Sequence, residues 1–126
     1  VPMHTSLLDT KTHYQFGDFL KNEIMESNRR IAVLASADLA YTPKDKGTPL
    51  SKKVLKLDEY VCACIESRNA PGLLQTDAAV VRASKMCGWG PIIALHGLLE
   101  RVNTFPKVLA YESVLGVGYV TASFPL

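Results

Sequence analysis

The chain has 126 residues, 48% hydrophobic and 21% charged, and fourteen basic against twelve acidic side chains leave a net charge of +2. That length fits one domain burying roughly two thirds of the surface its unfolded form would expose, without disulfide or metal staples. The near-balanced charge gives no electrostatic case for nucleic acid or an anionic membrane, and no apolar run approaches the length of a membrane span.

Cys62, Cys64 and Cys87 are an odd number without framework spacing. Reduced thiols and a cytoplasmic location are therefore expected. Cys62 and Cys64 would face nearly opposite ways on a helix, which argues against a metal pair. Five lysines, Lys44, Lys46, Lys52, Lys53 and Lys56, form a local cluster that reads as a solvated face. Because the chain opens on Val1-Pro2 and already resembles the inside of a fold, it is expected to be a processed, truncated or subdivided chain.

Val1 to Leu8 can form a short strand, with Pro2 tolerated near its start. His4 and His13, nine residues apart across its exit, match no local zinc spacing. From Thr10 or Thr12, either of which can cap it, a helix is predicted to run to Ser27 with Phe16, Phe19, Leu20 and Ile24 as its apolar face. Ile31 to Ala35 is an unbroken apolar run of the kind covered on both faces in a parallel sheet. It empties into a polar loop containing Ser36, Asp38 and Tyr41. Strand, helix and strand would make a right-handed βαβ unit, and ligands of open α/β sheets sit just past the carboxyl ends of such strands.

Thr42 to Leu50, with two prolines, a glycine and charges, marks an exposed loop able to act as a lid. A second helix is predicted from Ser51 to Ser67, with Val54, Leu57, Val61, Cys64 and Ile65 on one face and Asn69-Ala70-Pro71-Gly72 ending it. Thr76-Asp77 caps a third helix, which Cys87-Gly88-Trp89-Gly90 interrupts. Pro91 can open a fourth, Ile92 to Val102, in which His96 reads as a packed histidine. Lys107 to Glu112 and Gly116 to Phe124 are β-rich and read as a hairpin or added strand pair, Gly116 and Gly118 marking a tight or bulged passage.

Three stretches resemble one family in the same order. Ala35-Ser36-Ala37-Asp38-Leu39-Ala40-Tyr41 is similar to a strand-end pattern A-S-G-D-L-S-H. Cys87-Gly88-Trp89-Gly90-Pro91 before an apolar helix is similar to C-G-x-x-P. Val108-Leu109-Ala110-Tyr111-Glu112 with Gly116-Val117-Gly118-Tyr119 looks like V-L-x-Y-E and G-V-G-Y. The family is the subunit-B type of class III extradiol ring-cleavage dioxygenase, which includes the Memo-like proteins called AmmeMemoRadiSam system protein B. The resemblance covers nearly all of this chain but only about the carboxyl-terminal half of a typical member. It implies an α/β fold: three layers, a mostly parallel central sheet, helices on both faces and a C-terminal β-hairpin or strand pair. Residues 1–126 would be a single domain, the C-terminal part of a larger dioxygenase-like one.

Family enzymes hold non-haem iron(II) with two histidines and a carboxylate, and a further histidine acts as base. The resemblance places the histidine ligands in the amino-terminal half. It puts the base at Tyr41, where a phenol with a pKa near 10 replaces an imidazole near 6.5. The carboxylate would come from the region before Cys87, which reads Arg82-Ala83-Ser84-Lys85-Met86 and contains no acid; Lys85 would repel a cation there.

No catalytic or metal-ligating residue is assigned. The pocket residues expected are Ser36, Asp38, Tyr41, Trp89 and Glu112. Asp38 reads either as a ligand-orienting carboxylate or as a turn residue accepting backbone N–H bonds. Glu112 reads as a buried strand-end acid or a solvent-facing one, and Trp89 as an aromatic stacking surface or a core side chain.

The leading expectation is a dioxygenase-like, Memo-type domain without an iron site of its own, acting as a ligand-binding or protein-interaction module. The alternative is an iron(II)-dependent ring-cleavage oxidoreductase completed by a missing segment or another chain. Fe(II) would be its cofactor only in that case. A third role, by family analogy, is assembly with a radical enzyme. An aromatic small molecule and a protein partner or second copy are the partners expected, with no nucleic acid and no membrane.

Overall fold

A computed structural model describes residues 1–5, 8–36, 38–41 and 56–126. The elements are α1 (Thr10–Glu26), α2 (Leu57–Ser67), α3 (Ala70–Leu74), α4 (Ala78–Ser84), α5 (Trp89–Leu98), β1 (Lys107–Val114) and β2 (Val117–Ser123). Helices and strands together make a mixed α/β fold. No helix among the described residues is long and apolar enough to cross a membrane.

Three helix starts follow short polar side chains. Asp9, one residue before the expected cap, accepts the Thr12 N–H at 2.7 Å, which holds its carboxyl below the usual range. Asp77 caps α4 as expected, accepting from Ala79 N–H at 2.8 Å. Asn69, expected to end a helix, instead starts one, its amide oxygen accepting from Gly72 N–H at 2.9 Å. A short polar side chain can do either, and the outcome rests on the Arg68 backbone turning left-handed at φ 55° between α2 and α3.

Helix α1 has the expected bounds, yet a different face turns inward. Phe16 and Phe19 are exposed, whereas His13 and Gly17 are buried. The reason is the partner. A Cβ on Gly17 would lie 1.9 Å from the Ala94 carbonyl oxygen, and one on Gly97 would lie 2.0 Å from that of Tyr14. The α1 and α5 backbones therefore touch across two glycines. Trp89 ties the same seam, its indole N–H donating to Thr10 Oγ1 at 2.9 Å. Helix α5 starts at Trp89, earlier than predicted, and Pro91 occupies its third position.

Strands β1 and β2 form the expected hairpin, joined by Leu115 and Gly116 at φ 51° and 83°. Both central residues are left-handed, the geometry that matches hairpin twist. A bulge falls between Val108 and Ala110. The core lies beneath the hairpin and gathers Leu39, Val61, Cys64, Leu73 and Ile93.

The expected parallel sheet does not form among the described residues, whose one sheet is this two-stranded antiparallel hairpin. Residues 1–5 and Leu8 carry no strand, and 31–36 run without a ladder. Ile31, Val33 and Leu34 are exposed, and a cavity of about 100 Å³ separates Val33, Leu34 and Ala35 from Val120 and Ala122. A strand is stable only when paired, and only the end of this segment reaches β2, at Tyr41 opposite Val117. The expected lid Thr42–Leu50, together with Lys52, Lys53 and Val54, lies outside the described residues, so that of the lysine cluster Lys56 alone is described.

The seam and the buried His96 yield two predictions. Gly17→Ala should lower unfolding free energy by about 2 to 3 kcal/mol in urea titration, because the added methyl meets backbone carbonyl rather than a movable side chain. His96 is 6% exposed, and its Nε2 has no hydrogen-bond partner. Burial first, and the Arg68 charge second, push its pKa down to about 4 from 6.5. The unfolded chain then takes up this proton before the folded one does. Stability is complete above pH 6.5 and falls as pH drops toward about 4, by about 3 kcal/mol from this group. Urea titrations of His96→Leu at both pH values should show a correspondingly smaller acid loss.

Candidate functional site around residues 38–41

The segment 38–41 is the point where four elements meet. Asp38 donates its N–H to Cys87 Sγ at 3.2 Å, and its carbonyl accepts from Gly88 N–H at 2.8 Å. Leu39 N–H donates to the Gly118 carbonyl at 2.9 Å, and Gly118 N–H returns a bond to the Ala40 carbonyl at 3.1 Å. Ala40 N–H donates to Asp58 Oδ1 at 2.9 Å, and Tyr41 N–H to the Ser84 carbonyl at 2.8 Å. Each of these four backbone N–H groups thus has a partner on a different part of the chain. Leu39 and Ala40 are buried in the core, while Asp38 and Tyr41 are exposed.

Asp58 makes this possible. It sits in the first turn of α2, where an acid suits the helix dipole, but its side chain is buried. Oδ1 holds Ala40, and Oδ2 accepts the Tyr111 hydroxyl at 2.9 Å. A Cβ at Gly118 would lie 2.0 Å from Oδ2, so glycine there is what lets β2 pass over the carboxylate. Burial, and then the hydrogen bond to Asp58, push the Tyr111 phenol up to about 12.

Of the expected pocket residues, the structure brings Asp38 beside the Cys87–Gly88 turn and Tyr41 beside the end of α4 at Ser84. Ser36 is exposed on the unpaired segment, and Glu112 is exposed on β1 opposite Tyr119. Trp89 is a buried side chain of the α1–α5 seam. Asp58, Tyr111 and the Cys87 thiol were not foreseen as members of the site. Tyr111 and Glu112 are neighbours on opposite faces of a strand, and the tyrosine is the one that reaches inward. No spacing in the sequence marks Asp58, since an acid in a first helical turn is ordinarily solvated.

The exposed donors on this rim are the Asp38 carboxylate, the Tyr41 phenol and the Cys87 thiol. His13 lies in the α1–α5 seam, His96 lines the cavities near Phe124 and His4 is exposed. Among the described residues, no three side chains of His, Cys, Asp or Glu gather as a metal ion would need. The two-histidine, one-carboxylate set of a non-haem iron site does not fit the residues of this rim.

The clamp predicts a measurable coupling. Tyr111→Phe leaves Asp58 Oδ2 without its donor and should cost about 1 to 2 kcal/mol in urea unfolding. In a double-mutant cycle with Asp58→Asn, the coupling energy should be about 1 kcal/mol or more; strict additivity would refute the link.

A family model described as Memo-like protein matches residues 1–123. A MEMO1 family protein of Methanocaldococcus jannaschii is 33% identical over 115 residues, covering 90% of this chain and 37% of that protein. A MEMO1 family protein of Methanococcus maripaludis is 27% identical over 122 residues, covering 92% and 38%. A protein of Clostridium acetobutylicum is 27% identical over 110 residues, covering 84% and 23%. The chain thus spans less than two fifths of the length of these relatives. With a match that takes in the 38–41 segment, the Cys87–Gly88 turn and the hairpin together, the chain belongs to the Memo-like protein family.

Proposed function

We propose that this chain is an extradiol-dioxygenase-like Memo domain that binds a ligand or a protein partner through the rim of 38–41 and 84–88, without an iron site of its own. The observation that carries this reading is the composition of the rim. Tyr41 stands at the position of the family base, and the carboxylate and thiol beside it have no histidine with them. A phenol cannot accept a proton at neutral pH as an imidazole can. Backbone bonds hold 38–41 in place and leave the Asp38 and Tyr41 side chains exposed for contact, and an aromatic small molecule fits a rim with an exposed tyrosine.

Exposed Phe16, Phe19, Val33 and Leu34 support a protein partner or a second copy of the chain. The three-layer, mostly parallel sheet belongs to the same reading, with Ile31–Ala35 as a strand awaiting a neighbour. A cytoplasmic setting suits three free cysteines.

The second reading keeps the enzyme, a ring-cleavage oxidoreductase whose iron ligands come from another segment or chain. Unpaired 31–36, ahead of the rim, favours it, since that is where added structure would dock.

Anaerobic iron(II) titration of the chain tests the first reading. Expected is no saturable one-to-one binding tighter than about 1 mM, unchanged by Asp38→Ala or Cys87→Ala. Tight stoichiometric binding lost in either variant would refute the proposal. Oxygen uptake with catechols by a longer family chain containing this segment would establish the enzyme reading instead.

A further inference from the structure

A cavity of about 340 Å³ lies away from the 38–41 rim, between the end of α2, the segment following α5, and Phe124. Its size is at the low end of small-molecule sites, which begin at about 300 Å³. Arg68 and Arg101 supply two positive charges against the one negative charge of Glu100, and Leu99, Pro106 and Phe124 supply apolar wall. Both arginines hold left-handed backbones, at φ 55° and 60°, a conformation that glycine usually takes.

Arg68 is already aimed. Its Nη2 donates to the Val102 carbonyl at 2.6 Å and its Nη1 to that of Thr104 at 3.5 Å. Neither ion pair among the described residues involves Arg68. Arg101 lies 3.9 Å from Glu100, whose other oxygen takes the Tyr14 hydroxyl. The carbonyl of Val102 thus anchors the Arg68 guanidinium while its charge stays unpaired, and its remaining N–H groups can donate to a carboxylate.

His96 lines the same cavity and also the smaller one beneath Val33. It is a buried imidazole with an unpartnered nitrogen. The positive charge of Arg68 is felt at its ring. The other charged groups around it are Glu100 and Arg101, after α5, and Asp18 and Lys21 of α1, which pair with each other; Val120 and Ala122 of β2 bring none.

We propose that this cavity binds a small organic carboxylate with a compact apolar body, its carboxylate on Arg68 and Arg101 and its body against Leu99, Pro106 and Phe124. The inference stands apart from the function proposed for the rim. Burial is the larger cause that disfavours the imidazolium and the Arg68 charge the smaller; an anion beside Arg68 offsets the second, so binding raises the proton affinity of His96 and tightens as pH falls.

The test is titration of the 126-residue chain with benzoate, followed through the His96 ring resonances by NMR, with inorganic phosphate and benzyl alcohol in parallel. Expected are saturation by benzoate with a Kd of about 1 mM or tighter, a His96 pKa raised by about one unit, and weakening by about three- to tenfold in Arg101→Ala, a solvent-facing change that leaves the core intact. Unmoved His96 resonances at saturating benzoate would overturn the site. Phosphate binding as tightly as benzoate would overturn the apolar wall, and benzyl alcohol doing so would overturn the arginine fork. Unchanged affinity in Arg101→Ala would overturn the assignment of that residue.

Discussion

A buried carboxylate organises this molecule. Asp58 has its two oxygens on different parts of the chain, the Ala40 N–H and the Tyr111 hydroxyl, and Gly118 passes so close that no side chain can stand there. Taking a carboxylate out of water is unfavourable unless hydrogen bonds replace the lost ones. Its position between α2, the 38–41 segment and the hairpin therefore enforces their relative placement. If any one of the three moved away, a buried charge would lose a donor.

The second constraint is the contact of α1 with α5, made of backbone rather than side chains. Two glycines, one on each helix, let carbonyl groups approach where methyls would collide. This seam turns the aromatic side of α1 outward and delivers His13 and Trp89 to the interior. It meets the first constraint at the Cys87–Gly88 turn, which begins α5 and also receives Asp38. The rim of exposed Asp38, Tyr41 and Cys87 sits where the two constraints join. Its side chains are free to meet a ligand because the bonding beneath them is made by backbone and by Asp58.

Much of the local structure follows from short-range rules that a sequence displays. Capping by Asp77, the end of α2 at Ser67 and the hairpin turn at Leu115–Gly116 all rest on residues within four positions of one another, so their physics is written locally. The site was half legible for the same reason. A polar loop after an apolar run locates 38–41, but what that loop touches depends on residues 18 to 79 positions distant. Trp89 illustrates the difference. Its flanking glycines announced a turn, whereas its burial followed from Thr10, far away in the chain.

The sequence alone determined the family, the bounds of α1, the end of α2, the start of α4, the hairpin, and the segment where chemistry should be sought, because motif, cap and turn are local properties of the chain. Only the tertiary structure decided which face of α1 is buried, that Asp58 and Tyr111 rather than Glu112 support the rim, and that Ile31–Ala35 lies unpaired among the described residues. Those outcomes depend on which surfaces are brought together. Strand pairing, helix approach and the burial of a charge are settled by partners, and hydrophobic spacing records the need for a partner without naming it.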